Sequence, residues 1–448
     1  MLHVGGVFGN AFEKSFSVVA LFLFTAALLP TLLMARGEAV TADVGNPVLR
    51  NTYTALHIIS FALLAVHWRE VLRVVRQCWP AVLLVTLALV SMVWSIEPDL
   101  TLRRSRALLG TAAFGLYLAA RYDRRTLLRL LGVALGAAAV LSVVFALALP
   151  RYGVEQTIHT GAWRGVYTQK NGLGQAMALS AIVFLLIALD RGRWRGLAWL
   201  GVFLSAALVA LSTSVTAASV MVACFLLIPL YRALRLHSTI AVPLLIVGVL
   251  TASVAGALLL QHAQTVLRLI GRDPTLTGRT VLWTTVLEMI GQRPALGYGY
   301  SAFWRGAEGP SGLVWRAVQW ETPHSHNGFL DLALALGMVG VATFAVLLVA
   351  AIVRAIREVR SSPEPSAVWP VLFISFFMLY NVTESALLIQ NDYLWLLFVA
   401  AACSGAASVR SPVGAESAAP SRGLRLGLRR FNATATYPSP AFPSGSRG

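Results

Sequence analysis

Residues 127–149 read LLRLLGVALGAAAVLSVVFALAL, an apolar block interrupted by a single charge, Arg129. A bilayer core of about 30 Å needs about 20 such residues in helical form, with about 17 tolerated. The block has no 3.6-residue alternation of apolar and polar positions, as a surface helix of a soluble domain would. Its solvent is therefore lipid. The chain has 448 residues, 57% hydrophobic and 12% charged, where a soluble domain carries about a quarter charged.

The same ruler predicts an all-α, polytopic membrane protein with about twelve transmembrane helices. They fall near 15–34, 51–67, 79–95, 107–120, 127–149, 171–189, 195–212, 214–231, 239–260, 327–353, 367–381 and 390–407. The first block follows Lys14 and lacks a small-x-small cleavage site, so it reads as a retained helix rather than a signal peptide. Two domains are expected: a membrane domain over 1–407 and, from its Ser, Pro, Ala, Gly and Arg content, a disordered tail over 408–448. There are no internal repeats.

Loop charge orients the spans. Arg69, Arg73 and Arg76 follow the second block; Arg121, Arg124 and Arg125 the fourth; Arg191, Arg193 and Arg195 the sixth. Arg232 and Arg235 follow the eighth, and Arg354, Arg357 and Arg360 the tenth. Every even-to-odd connection is basic, which places those loops and both termini in the cytoplasm. The formal charge of +17 is thus a topological signal, and nucleic acid is not expected as a partner. Cys78, Cys224 and Cys403 are far apart in or beside apolar blocks. They show neither metal-ligand spacing nor a disulfide framework and read as small core residues.

Two outward connections are long, 150–170 and 261–325, and long loops of this kind often carry function. Within the second, 278–293 has an apolar stripe suited to an interfacial helix. Outward loops should be poor in cations, yet Arg103, Arg104, Arg106, Arg151, Arg164, Lys170, Arg268, Arg272 and Arg279 fall there. Guanidinium groups at a membrane rim suit phosphate, which they bind bidentately. The competing reading is snorkelling toward headgroups at helix ends. Together they favour an anionic, lipid-linked ligand. Lys170 draws notice because Lys14 is the one other lysine.

The segment ETPHSHNGFLD, Glu321–Asp331, runs into the tenth block. Pro323 and Ser325 or Asn327 are helix-start residues, so His326 is expected at the first turn. The positive helix end there favours neutral imidazole, as a general base acting on a sugar hydroxyl requires. The bland alternative is a pair of histidines capping a loop. His324 and His326 have no third ligand at a recognisable spacing, so no metal is expected. Asp331, five residues on, is expected to stabilise the helix start rather than orient the imidazole. Tyr298, Tyr300, Phe303 and Trp304 read equally as an interfacial aromatic belt or as a sugar-stacking platform. Gly337-x-x-Gly340 reads as close helix packing.

These pieces, in this order, resemble a bacterial family. His326-Asn327 followed by Gly337-x-x-Gly340 is similar to the histidine motif of O-antigen ligases. Trp94-Ser-x-x-Pro98 with Thr101-Leu-Arg-Arg104, Arg164-Gly-Val-Tyr-x-x-Lys170-Asn-x-Leu-Gly174 and Thr277-Gly-Arg-Thr280 with Leu282-Trp283 look closer to the exopolysaccharide polymerase branch. So do Arg293-Pro294, Gly297-Tyr-Gly-Tyr300 and His324-Ser-His-Asn-Gly328. The resemblance spans roughly residues 90–345. It implies a GT-C-like, metal-independent, inverting glycosyltransferase without cofactor in the bacterial inner membrane. The implied donor is a glycan on undecaprenyl diphosphate, met at the periplasmic face. The implied acceptor is a second lipid-linked glycan or lipid A-core, and other polysaccharide-assembly proteins are further expected contacts. In that picture His326 is the base. Arg103, Arg104, Arg164, Lys170, Arg279, His324 and Asn327 bind substrate, with Arg164 and Arg279 on the diphosphate. The ligases' essential arginine maps to no unambiguous local pattern here. The rival class, a transporter or flippase of lipid-linked precursors, calls for repeats, midplane ionisable groups or broken helices, none of which the sequence displays.

Overall fold

The computed structural model describes residues 2–35, 46–156, 160–190, 192–236 and 279–404. The expected ninth span (239–260), residues 261–278 of the long outward loop and the expected tail (408–448) lie outside them. Sixteen α-helices are described. They are α1 Leu2–Phe24, α2 Leu29–Ala35, α3 Pro47–Val66, α4 Trp68–Gln77, α5 Trp79–Val90, α6 Pro98–Arg121, α7 Arg124–Ala148 and α8 Pro150–Gly153. Then come α9 Lys170–Leu189, α10 Arg195–Leu211, α11 Val215–Ala233, α12 Arg279–Gln292, α13 Pro310–Val318, α14 Gly328–Ser361, α15 Trp369–Asn381 and α16 Tyr393–Ala402. No strand occurs among the described residues.

Five of these helices, α3, α7, α9, α11 and α14, are long and apolar enough to cross a membrane. The number is seven if α1 with α2 (bent by 50°) and α4 with α5 (bent by 89°) each count as one span. Of the twelve spans expected, the ninth lies outside the described residues, and α10, α15 and α16 are apolar but shorter, with 17, 13 and 10 residues. Helices α15 and α16 are hydrophobic all round and pack at the centre of the described helices. Trp369, Phe373, Phe376, Phe377, Trp395 and Phe398 are all under 2% exposed, and Phe377 stacks on Phe398 at 4.6 Å. Around this centre the outer helices turn apolar side chains outward: Ile58, Leu200, Phe203, Leu226 and Val349 are each more than 60% exposed. Such faces are soluble in lipid alone.

Three expectations change. The basic stretch after the second block is no loop: α4 is a helix set nearly at right angles to α5, with Arg69, Arg73 and Arg76 spaced to share one face. Cys78 and Cys403 are joined in a disulfide, their Cα atoms 5.6 Å apart across 325 residues, so the cysteines are not all isolated core residues. Cys224 remains free and buried. The third change is a helix break. Gly337 interrupts α14 at φ 62°, ψ −163°, a conformation open to glycine and closed to residues with a Cβ. Residues 294–299 fill the break. Tyr298 N and Gly299 N donate to the carbonyls of Leu334 and Ala335 at 2.8 and 3.0 Å, while Met338 N and Val339 N donate to those of Pro294 and Ala295. A Cβ on Gly337 would sit 2.2 Å from the Ala295 carbonyl oxygen. The broken ends are thus satisfied by backbone instead of facing a cavity, as transporter half-helices do.

Candidate active site

The filled break carries the 297–304 loop to the start of α14. Tyr298, Tyr300 and Phe303 are 3%, 3% and 2% exposed, so neither the belt nor the platform expectation holds. Burial raises the pKa of both tyrosines, keeping them neutral. Tyr300 donates its hydroxyl to the Leu388 carbonyl at 2.6 Å. Trp304 donates its indole N–H to Asp331 Oδ1 at 2.9 Å. These aromatics are internal struts.

Asp331 sits one turn into α14 and gathers three segments. Besides Trp304, its carboxylate accepts the backbone N–H of Ser325 (3.1 and 3.3 Å) and the hydroxyl of Ser385. It therefore fixes the residue between the two histidines, a larger role than stabilising its own helix start. Asn327 caps α14, accepting from Phe329 N and Leu330 N at 3.0 and 3.3 Å. That is a structural job for a residue expected to bind substrate. Trp283 of α12 donates to the Ser325 carbonyl at 2.9 Å. A residue so tied from both sides can hold its neighbour in a disfavoured conformation: His326 stands at φ 53°, left-handed and costly for a side chain with a Cβ.

The strained backbone aims the imidazole into a small cluster. His326 Nδ1 lies 3.2 Å from Glu384 Oε2, and Arg279 lies 3.9 Å from the other oxygen of that carboxylate. Trp320 stacks on the imidazole at 5.3 Å with planes 22° apart. His324 meets it edge-on at 4.2 Å and accepts the His326 backbone N–H at its own Nδ1. Burial, then the neighbouring His326, lower the basicity of His324 against the opposing pull of Asp331 and Glu384, so it stays neutral. Glu384 is buried too, which alone would raise its pKa. The hydrogen bond to His326, with the electrostatic pull of the surrounding imidazoles and Arg279, outweighs this and holds it below the ordinary carboxylate range. A carboxylate accepting from Nδ1–H fixes the tautomer and leaves Nε2 as the proton acceptor. Nε2 of His326 is enclosed and has no hydrogen-bond partner among the described residues.

Glu384 was missed by sequence reasoning. It lies 58 residues after His326, beyond any local spacing. The usable signal was topological, because the connection between the eleventh and twelfth blocks is on the same side as the histidines. With Glu384 the argument against a third metal ligand also changes. Ligand atoms of His324, His326 and Glu384 lie within 4.8 Å of one another, a donor set of two imidazoles and a carboxylate such as zinc accepts. Against a dication stands the guanidinium of Arg279, already beside the same carboxylate.

The other expected residues are placed as follows. Arg104 donates to the carbonyl and hydroxyl of Ser301 at 3.2 and 2.7 Å, bracing the 297–304 loop, and Arg103 is exposed on α6. Arg164 donates to the carbonyls of Tyr152 and Arg151 at 2.9 and 3.2 Å. It lines a polar recess of about 230 Å³ with Arg151, Thr31 and Thr168. Lys170 is buried and bonded to Thr213 at 3.2 Å. Of the expected set, His324, His326 and Arg279 meet in one cluster. The described hydrogen bonds of Arg164 and Lys170 run to other segments.

A multispan helical membrane protein with a carboxylate-held imidazole at one rim is the class these features define. The family described as O-Antigen ligase matches residues 199–345, a stretch that takes in Arg279, the filled break and both histidines. The chain is also 27% identical over 306 residues to the exopolysaccharide production protein ExoQ of Rhizobium meliloti (strain 1021), covering 65% of this chain and 69% of that protein. Both similarities point to the O-antigen ligase and polymerase superfamily.

Proposed function

We propose that this protein transfers a glycan from undecaprenyl diphosphate to a sugar hydroxyl, at the periplasmic face of a bacterial inner membrane. Its termini are in the cytoplasm, as the loop arginines require. The carrying observation is the Glu384–His326 pair with the unpaired, enclosed Nε2. A buried, unsatisfied nitrogen is costly, and an acceptor hydroxyl donating to it offsets that cost.

In the reaction, His326 Nε2 takes the hydroxyl proton as the acceptor oxygen attacks the anomeric carbon. The bond from that carbon to the diphosphate breaks on the opposite side, inverting the centre. The electron pair leaves with the diphosphate. Glu384 steadies the imidazolium formed, as a buried carboxylate does for a catalytic histidine. Arg279, beside the cluster, is the first candidate to bind the departing charge, with Arg103 and Arg164 as further rim candidates; Arg104 and Lys170 are engaged by Ser301 and Thr213. Likeness to an exopolysaccharide production protein favours a growing lipid-linked glycan as acceptor, making the enzyme a polymerase. Ligation to lipid A-core is the neighbouring alternative.

The cluster of His324, His326 and Glu384 favours a second, metal-assisted reading, and one assay separates the two. Purified protein is given lipid-linked donor with either a second donor or lipid A-core, in the presence and absence of EDTA. Metal-free base catalysis predicts longer glycans, full activity in EDTA, and a loss of at least about 100-fold in His326→Ala. Activity retained by His326→Ala would end the base role, and inhibition by EDTA reversed by zinc would select the metal.

A further inference from the structure

The far end of the helices carries a feature the reaction does not use. Between α7 and α10 lies an open apolar groove of about 470 Å³, floored by Phe184 of α9. Its α7 wall runs from Arg129 to Val140 and its α10 wall ends at Leu204. Eleven helical steps make Arg129 to Val140 about 16 Å, close to the half-thickness of a hydrocarbon core, about 15 Å. The groove therefore has the depth of one leaflet. Two glycines leave room for the Phe184 ring: a Cβ on Gly136 would stand 3.1 Å from it and one on Gly201 2.6 Å.

The mouth of the groove is basic and aromatic. Arg129, Arg193 and Trp194 gather there, all exposed, with the Arg193 guanidinium 5.1 Å over the Trp194 ring. The nearby acid, Asp190, is engaged by Arg125 at 3.1 Å. No carboxylate lies within ion-pairing distance of Arg129 or Arg193 among the described residues. This mouth is also at the opposite rim from the histidines. The N-terminal end of α6 touches the 300 loop through Arg104. Its other end, Arg121, leads directly into α7 and Arg129.

We infer that this groove binds an anionic phospholipid of the leaflet opposite the active site. One acyl chain lies along Phe184 between α7 and α10, and the phosphodiester rests between Arg129 and Arg193. Two guanidinium groups with an interfacial tryptophan recognise such a headgroup, while a leaflet-deep apolar slot takes the chain that a free phosphate lacks. The bound lipid would wedge α7 against α10 and does not enter the transfer step.

Native mass spectrometry of the delipidated, full-length protein tests this with phosphatidylglycerol, phosphatidylcholine of the same chains, and glycerol phosphate. Phosphatidylglycerol should bind with at least about tenfold preference over phosphatidylcholine, and glycerol phosphate should not bind. Arg129→Gln with Arg193→Gln should remove the preference, and Val140→Trp should block both lipids, with transfer activity intact. Equal binding of the two lipids by the unaltered protein overturns the inference, as does a preference that survives the double substitution. Binding of glycerol phosphate alone would make it a soluble-anion site and overturn the acyl-chain part. Should a variant fail to fold, the melting temperature of the unaltered protein decides: it should rise with phosphatidylglycerol and not with phosphatidylcholine.

Discussion

The two rims of the molecule use charge in opposite ways. At the rim of Arg121 and Arg124, the three cations of the α6–α7 corner are matched by carboxylates from elsewhere in the chain. Arg121 meets Glu13, Arg124 meets Glu358 and Arg125 meets Asp190. Arg354 there donates to the carbonyls of Ala402 and Gln77 at 3.1 and 2.8 Å. These pairs clamp helix to helix. At the other rim, Glu384 is shared between an imidazole and a guanidinium, and the imidazole's second nitrogen is left open. Charge density is no guide to function in this chain, since the more heavily paired rim is the structural one. The unmet valence marks the chemistry.

Substitutions can break that contrast. His326→Ala should cost about 10²- to 10⁴-fold in kcat, the span general-base catalysis supplies, with the melting temperature little changed. Glu384→Gln should cost less, about 10- to 100-fold, by releasing the imidazole from its orientation. A loss equal to that of His326→Ala would make Glu384 a direct participant. At the clamped rim, Arg124→Gln should do the reverse, lowering stability by roughly 1–3 kcal/mol with kcat per folded molecule intact. Calorimetry in detergent alongside the transfer assay separates the two classes, and a rim-independent pattern would refute the contrast.

Protonation gives smaller effects. His324 is less basic in the fold than in the unfolded chain, so acid favours unfolding. Its stabilising share is whole above about pH 6.5 and is lost as pH falls through the lowered folded value. Thermal melts of His324→Gln should show a shallower acid slope than the unaltered protein. Glu384 lies the other way: its folded value is below 4.5. Its contribution is whole above that pH and lost only in stronger acid, so the tie to His326 should persist through the pH range of any practical assay.

Much of this was legible in the sequence wherever the cause was local. Apolar blocks mark helices α3, α7, α9, α11 and α14, because desolvation in lipid acts on contiguous residues. The capped start of α14 was readable from Asn327, but His326 precedes the cap in a left-handed conformation and is not in the first turn, where it was expected. What escaped depends on partners distant in the chain. Hydropathy cannot tell lipid from protein as the surroundings of α15 and α16, so their place at the centre of the packing was not legible. Gly337 reads as helix packing until residues 294–299 are seen occupying the break. Glu384, Trp320 and the Cys78–Cys403 bond are pairings across 58, 6 and 325 positions, and only the fold brings them together. Arg104 and Asn327 were singled out as substrate-binding residues, but their described bonds serve the loop and the helix start.

A double-substitution cycle tests the central claim most directly: His326→Ala, Glu384→Gln and the pair, each assayed for kcat with purified lipid-linked donor. If the carboxylate acts through the imidazole, the double variant should be no slower than His326→Ala alone. If instead the two losses multiply, Glu384 has work of its own, and the account of His326 as a carboxylate-held base is wrong.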